Sequence, residues 1–178
     1  MRQVVNARLT VMHLTIDQFQ KKHHFINVFF ALVARYGPAF YFLGMFIFLV
    51  FSKEVGITFS KALSAVILGI ISAIATKMVI DPIARRIGRK RPFVRLQLQP
   101  LIEKDPEDPS FPSNHAGGSI ALATGLSIID PNVAFIAYCL SLLIMVSRVY
   151  AQLHYLTDIL AGAILGFMVT VLLYIIFF

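Results

Sequence analysis

Long apolar runs separated by short polar breaks dominate this chain. Several of the runs approach the ~20 residues that an α-helix needs to cross a bilayer. The pattern predicts an all-α integral membrane protein, a helical bundle of about five transmembrane spans plus an N-terminal amphipathic interfacial helix. The spans are expected at Pro38–Phe51, at Thr58–Ile80, in the run opened by Ser113, at Val133–Val146 and at Ile159–Phe178.

The N-terminal segment Met1–Lys22 alternates apolar and polar positions at helical spacing. This spacing predicts an amphipathic helix that lies on the membrane, and packing against the ends of the bundle is the alternative. We expect Phe25–Arg35 to be a half-immersed helix that feeds a short first span, because Gly37 and Pro38 interrupt the run. The apolar stripe of the first helix is Val5, Leu9, Met12, Ile16 and Phe19, and its polar stripe is Asn6, Thr10, His13, Asp17 and Gln20.

Composition assigns the whole chain to the membrane class. Hydrophobic residues fill 58% of its 178 positions, whereas about 45–50% is usual in a soluble domain. We therefore predict one membrane-embedded domain, residues 1–178. The net charge of +7 then favours an anionic lipid surface or an anionic substrate over nucleic acid. Cys139, the single cysteine, lies in an apolar run and indicates neither a disulfide framework nor a thiolate metal site.

Residues 81–114 form the only long polar segment of the sequence. We expect Asp81-Pro82 to end the second span and the whole segment to be a loop on the side of the active site. Its first half is basic, and its second half is rich in acids and prolines that exclude a regular helix. The basic half is either a loop kept on the cytoplasmic side by its charge or a surface that collects phosphate. Its cations are Arg85, Arg86, Arg89, Lys90, Arg91 and Arg95, with Lys104 in the second half.

Phe111–Gly118 opens the third span with features of an anion site. Ser113 is a natural N-cap residue, so free backbone amides near Asn114 would face outward at the positive end of the helix dipole. His115 lies in the first turn beside them. Small residues recur every four positions in this span and in the last one, which predicts close helix contacts. These are Gly117, Ala121 and Gly125, and Gly162 and Gly166.

A polar stretch, Ser147–Asp158, joins the last two apolar runs. On a helix, His154 and Asp158 would stand on one face, so the carboxylate could fix the imidazole tautomer and leave the other nitrogen free to attack an electrophile. Arg148 offers a planar fork of donors suited to phosphate. The alternative is that these side chains snorkel or cap helices in an interfacial loop.

Topology favours a site over that alternative. Two spans and one short turn separate Asn114 from Arg148, so the start of span three, the end of span four and the start of span five share one face of the membrane. The basic segment before span three is on the same face. We therefore expect the polar residues to converge, namely Arg91, Ser113, His115, Arg148, His154 and Asp158.

Three sequence pieces resemble the type 2 phosphatidic acid phosphatase superfamily, which includes membrane lipid phosphatases and vanadium haloperoxidases. They are Arg91-Pro92, Pro112-Ser113-Asn114-His115, and Ser147-Arg148 followed by His154 and Asp158. The resemblance implies His154 as a nucleophile that forms a phosphohistidine, Asp158 as its orienting group, and His115 as general acid and later base. It implies that the phosphoryl oxygens are held by Arg91, Arg148, Ser113 and amides near Asn114, and it implies no metal and no cofactor.

One position departs from the family pattern. The lysine that usually opens the first motif is replaced by Ala84, and Arg85, the nearest basic residue, is the candidate to bind phosphate in its place. With this motif, the short chain is most similar to bacterial undecaprenyl-diphosphate phosphatases of the bacitracin-resistance type. The resemblance implies an enzyme of cell wall biogenesis in the bacterial plasma membrane, with its site on the outer face, although charge counting would put the basic loop in the cytoplasm. Phosphatidylglycerophosphate or phosphatidate is the alternative substrate, and a non-catalytic anion or lipid carrier is the alternative class. Oligomeric state is not indicated.

Overall fold

The computed structural model describes residues 2–177, and within them the chain forms helices and no strand. The side chains are described from Ala7 onward. The predicted all-α membrane fold is confirmed. The helices are α1 (Arg2–Gln20), α2 (His24–Phe51), α3 (Phe59–Ile87), the single turn α4 (Pro92–Arg95), α5 (Asn114–Leu126), α6 (Pro131–Tyr150) and α7 (Leu156–Phe177).

The bundle is built around α5, a short helix packed among α3, α6 and α7. Four helices, α2, α3, α6 and α7, are long and apolar enough to cross a membrane. Their outer faces expose large aliphatic and aromatic side chains, as lipid-facing helices do. The predicted third span corresponds to α5, whose 13 residues reach only about 20 Å. The chain is therefore a multi-pass membrane protein whose central helix is enclosed by longer ones.

Close packing around α5 depends on glycine. A Cβ added to Gly125 would lie 2.5 Å from the Cα of Gly69 on α3, and one added to Gly166 on α7 would lie 2.1 Å from the carbonyl oxygen of Gly117. Both distances are far inside van der Waals contact, so any side chain there would force the helices apart. The glycine positions predicted from the sequence thus lie at the contacts of α5 with α3, near its end, and with α7, near its start.

Two predicted helix boundaries are wrong. Gly37 and Pro38 do not divide the first apolar region, because α2 runs unbroken from His24 to Phe51 with Pro38 inside it. Pro82 does not end α3, which continues to Ile87 and stops at Gly88. There the φ of +58° lets glycine adopt the left-handed conformation of a helix cap. The polar loop is therefore shorter than residues 81–114.

The first helix packs against the bundle with its polar stripe inward. His13 and Gln20 are buried, while Val11 and Leu14 are exposed. The side chain of Gln20 donates to the carbonyl oxygen of Tyr150 at 2.5 Å. Of the two arrangements considered for this helix, the contacts are those of packing against the bundle.

Candidate active site

A cavity of about 380 Å³ lies where α3 and α6 end and α5 begins. Six of the eight predicted site residues line it together, although they are distant in sequence. Two others, Ser113 and Asp158, are fully buried and do not line it. The lining residues are Lys77, Asp81, Ala84, Arg85, Arg91, Lys104, Asp108, Pro109, Pro112, Asn114, His115, Arg148 and His154.

His154 lies in the loop between α6 and α7 and has a defined tautomer. Its Nδ1 is 2.7 Å from the carbonyl oxygen of Ser110, and its Nε2 is 3.2 Å from Nη1 of Arg91. A carbonyl can only accept and a guanidinium can only donate. Nδ1 therefore carries the proton, and Nε2, which borders the cavity, uses its lone pair to accept from Arg91.

Burial keeps this imidazole neutral. Loss of hydration is the main cause that lowers the pKa of His154 to about 4; the charges of Arg148 and Arg91 act in the same direction, and Asp158 acts against them. At neutral pH the ring is unprotonated at Nε2, which is the state that a nucleophile requires.

Asp158 is placed differently from the sequence expectation. Its Oδ2 lies 3.8 Å from Nδ1 of His154, too far for a hydrogen bond. That oxygen accepts from the backbone N–H of Tyr155 at 2.9 Å, as an acid in the first turn of a helix does. Its Oδ1 accepts from Nη1 of Arg89 at 2.5 Å. The direct partner of His154 is the Ser110 carbonyl, and sequence patterns carry no signal for a backbone acceptor in an irregular loop.

Arg91 is almost fully buried and is held by backbone carbonyls. Nε donates to Asp108, Nη2 to Pro109 and Nη1 to Leu153, at 3.0–3.1 Å. These bonds link the proline-rich loop to the loop that carries His154. The guanidinium of Arg91 is thus fixed beside Nε2 of His154. Its planar donors suit a phosphoryl group bound at that point of the cavity.

Arg148 binds a backbone carbonyl that Pro38 leaves without a partner in α2. Proline has no N–H, so in a helix the carbonyl four residues earlier loses its partner. Here that carbonyl belongs to Ala34, and it accepts from Nη1 of Arg148 at 2.7 Å. Nε of Arg148 is buried with no hydrogen-bond partner among the described residues. Nη1 therefore anchors the guanidinium of Arg148, and the other N–H groups of this guanidinium remain to donate to a ligand in the cavity.

The start of α5 contributes Asn114 and His115 to the wall of the cavity. Ser113 is the N-cap residue, and its hydroxyl accepts from the N–H of Ala116 at 3.4 Å, so this hydroxyl serves the helix. Asn114 donates to Asp81 at 2.7 Å. The ring of His115 lines the cavity, and no hydrogen bond to it is found within the described residues.

Lys77 and Lys104 are site residues that the sequence reasoning missed. Each lines the cavity and forms an ion pair with a lining carboxylate, Lys77 with Asp81 and Lys104 with Asp108. The ammonium of Lys104 holds the pKa of the Asp108 carboxyl below its ordinary value. The spacing of Lys77, Asp81 and Ala84 along one face of α3 was an available signal. Ala84 and the exposed Arg85 also line the cavity, so the cations surround the place where the family pattern has its lysine.

A second, mostly apolar cavity of about 410 Å³ adjoins the first. The two share Lys77, Asn114 and His115, and the walls of the second come from α2, α3, α5 and α6. Its other lining residues include Pro38, Tyr41, Phe42, Ala73, Leu122 and Ile144. A charged chamber and an apolar chamber thus meet at His115, as an amphiphilic ligand would require.

Candidate metal ligands are not grouped. Among the described residues, no three histidine, cysteine or carboxylate side chains lie close enough together to hold a metal ion.

Comparisons with known proteins agree with this geometry. The PAP2 superfamily profile matches residues 59–178. A similar solved structure is the first transmembrane PAP2 type phosphatidylglycerolphosphate phosphatase from Bacillus subtilis, at 20% identity and a TM-score of 0.70, over 97% of this chain and 86% of that one. Another is LpxE from Aquifex aeolicus, at 23% identity and a TM-score of 0.67, over 90% of this chain and 91% of that one. No curated protein sequence matches. Cavity, fold and profile together show that the chain belongs to the PAP2 superfamily, a family of phosphatases.

Proposed function

We propose that this protein hydrolyses a lipid diphosphate, most specifically undecaprenyl diphosphate to undecaprenyl phosphate and inorganic phosphate. The observation that carries the proposal is the single cavity in which His154 and His115 meet five cationic side chains, with an apolar chamber beside them. Binding of an anion alone would not need a neutral imidazole whose unprotonated Nε2 lies beside Arg91 at the cavity.

In the proposed first step, Nε2 of His154 attacks the terminal phosphorus. The N–P bond forms as the bridging P–O bond breaks, and His115, in its protonated form, gives a proton to the departing oxygen. Water then attacks the phosphorus, and the neutral His115 takes the proton from that water. The N–P bond breaks, its electron pair returns to Nε2 of His154, and phosphate leaves. Arg91 and Arg148 neutralise the charge on the equatorial oxygens of both transition states, and no metal takes part.

Charge and shape support a diphosphate as the substrate. The lining holds Lys77, Arg85, Arg91, Lys104 and Arg148 against two carboxylates, Asp81 and Asp108. A diphosphate carries a second phosphoryl group and more negative charge than a monoester, so it can use the lysines as well as the arginine pair.

The lipid tail would occupy the apolar cavity next to His115. That cavity is walled by Tyr41 and Phe42 of α2 and by Leu122 and Ile144, so the tail would exchange an apolar lipid environment for an apolar protein one while the head group enters the charged cavity. Phosphatidylglycerophosphate is the second candidate, because the similar Bacillus subtilis structure is described as acting on that lipid.

Phosphate release by the purified protein tests the proposal. The substrate panel is undecaprenyl diphosphate, phosphatidylglycerophosphate and phosphatidate, each with and without EDTA. We expect the highest kcat/KM for the diphosphate, full activity in EDTA, and a larger KM increase for it than for the other two lipids in Lys77→Met and Lys104→Met. Lys53→Met, at the other end of the bundle, is the matched control. Binding without release by the wild-type protein would instead identify a carrier.

We also propose that the cavity faces the outside of a bacterial plasma membrane. Four of the seven cations that charge counting would assign to the cytoplasm line the substrate cavity or bind Asp158, so they have another reason to be there. They are Arg85, Arg89, Arg91 and Lys104. Labelling of Lys90→Cys in a Cys139→Ala background with a membrane-impermeant maleimide on intact cells tests this orientation. Labelling only after permeabilisation would place the cavity in the cytoplasm.

A further inference from the structure

A buried pair of side chains joins α1 to the loop of residues 151–155, which carries His154. His13 of α1 and Gln152 are both 0% exposed. Nδ1 of His13 lies 2.5 Å from Oε1 of Gln152, and Nε2 of Gln152 donates to the carbonyl oxygen of His13 at 3.0 Å. Since Oε1 only accepts, Nδ1 is the donor in the first bond. The two residues, 139 positions apart in sequence, close a reciprocal pair.

Gln152 has a strained backbone in the middle of this loop. Its φ is +64°, in the left-handed region that costs a non-glycine residue roughly 1–2 kcal/mol. This conformation belongs to the end of α6, because Gln152 follows the C-cap residue Ala151. The N–H of Gln152 donates to the carbonyl oxygen of Val149 at 3.0 Å, and that of Leu153 to Arg148 at 3.1 Å, as at many helix C-termini. The side-chain pair with His13 and the bond from the N–H of Phe93 to the Gln152 carbonyl at 3.2 Å then fix this helix end against α1 and α4. Strain maintained by specific contacts is a mark of functional loops.

The loop of residues 151–155 links the backbones of His154 and Arg148, the two residues proposed to act on the phosphoryl group. The N–H groups of Leu153 and His154 donate to the carbonyl oxygen of Arg148, at 3.1 and 3.3 Å. Gln152 is two residues before His154, so rotation at its φ would move the imidazole away from Ser110 and Arg91. The ring of His13 also lies edge-on to Tyr155, with centroids 5.3 Å apart. The first helix therefore contacts the residues on both sides of the His154 backbone.

We propose that Gln152 is a positioning residue, and that α1 acts through the His13–Gln152 pair to hold His154 in its attacking geometry. None of the side chains of α1 that the structure describes, from Ala7 onward, lines the cavity. Its effect is on the angle and tautomer of the nucleophile, where a displacement of about 1 Å can cost roughly 10²-fold in rate. The consequence for turnover rests on the proposed function, whereas the consequence for the ring does not.

The first arm of the experiment is independent of turnover. Protein labelled with ¹⁵N-histidine reports the tautomer of His154, whose signal is assigned from its loss in His154→Ala. We expect the Nδ1–H tautomer in the wild type and in Gln18→Ala, an exposed control on the same helix. We expect a tautomer mixture in Gln152→Gly, which relieves the backbone strain but removes the side chain. An unchanged His154 signal in Gln152→Gly would overturn the proposal.

The second arm separates positioning from folding. With the best lipid of the panel, His13→Ala and Gln152→Gly should each lower kcat about 10–100-fold with KM within about threefold of wild type. The double variant should be no worse than the single ones, because both remove the same contact. His13→Gln, which can still bond to Gln152, should restore most of kcat. Additive losses, or losses confined to KM, contradict the proposal. A wild-type protein with the expected tautomer but no phosphate release contradicts the proposed function instead.

Discussion

The role of Asp158 can be tested by a substitution that removes its charge and keeps its shape. Asp158→Asn retains an oxygen that can accept from the Tyr155 N–H, so the first turn of α7 keeps its cap. What is lost is the negative charge 3.8 Å from Nδ1 of His154 and the ion pair with Arg89. During attack the imidazole becomes positively charged, and Asp158 is the carboxylate positioned to stabilise it.

The distance sets the size of the effect. At an effective dielectric constant of about 20, two unit charges at this separation interact by ~4 kcal/mol. The guanidinium of Arg89, 2.5 Å from the other carboxylate oxygen, cancels part of this field. We take about half, ~2 kcal/mol, which corresponds to roughly 30-fold in kcat. By contrast, a carboxylate that itself fixes the tautomer of a catalytic histidine is worth about 10⁴-fold, and here the Ser110 carbonyl fixes it.

The assay is steady-state phosphate release, with rapid-quench trapping of the acid-labile phosphoenzyme. We expect Asp158→Asn to lower kcat about 30-fold and to leave KM nearly unchanged, because Asp158 does not line the cavity. The loss should be equal for monophosphate and diphosphate lipids. Asp130→Asn is the matched control: it changes the N-cap of α6 to a residue of equal capping strength.

Two results would refute this reasoning. A loss near 10⁴-fold would mean that Asp158, rather than Ser110, receives the proton of His154 in the working enzyme. A loss below about threefold would mean that Arg89 cancels the carboxylate completely and that its role is confined to the start of α7.

Three further predictions follow from the same geometry. First, His115→Ala should damage hydrolysis of a lipid monophosphate more than that of a diphosphate, because an alkoxide needs the proton from a general acid more than a phosphate leaving group does; equal losses in a kcat comparison would remove this role. Second, because the pKa of His154 is about 4 instead of 6.5, the nucleophile stays unprotonated down to that pH; kcat/KM, corrected for substrate ionisation, should fall only as the pH approaches 4, and an enzyme pKa near 6.5 would contradict it. Third, Gly162→Ala places a Cβ 2.4 Å from the carbonyl oxygen of Ser113 and should lower stability by about 1–3 kcal/mol together with activity. Gly44→Ala, where a Cβ meets nothing within 4 Å, is its control in thermal unfolding.

The hydrophobic pattern was sufficient for the class of fold. Runs of apolar residues near bilayer length permit only a helical bundle, since unpaired backbone groups are too costly in lipid. The pattern misjudged Pro38 and Pro82, because a proline inside a helix is tolerated wherever other groups satisfy the freed carbonyl. At Pro38 that group is Arg148, which approaches from another helix, and no local signal could reveal it.

The sequence also predicted several of the residues that share the cavity, although not Lys77 or Lys104, because short connections place helix ends on the same side of a membrane. Arg91, Asn114, His115, Arg148 and His154 line one cavity for that topological reason. Spacing along the chain gives proximity on a helix, but it does not give the partner of each polar atom.

Tertiary structure decided which groups hold the imidazole of His154. The i, i+4 spacing pointed to Asp158 as the partner of His154. However, α7 begins at Leu156, after His154, and Nδ1 of His154 donates instead to the Ser110 carbonyl of the proline-rich loop. Arg89 engages Asp158 instead, and His13 reaches the same loop from the N-terminal helix. These contacts join segments far apart in sequence, so their geometry depends on how whole helices pack, which the order of residues along any one segment does not encode.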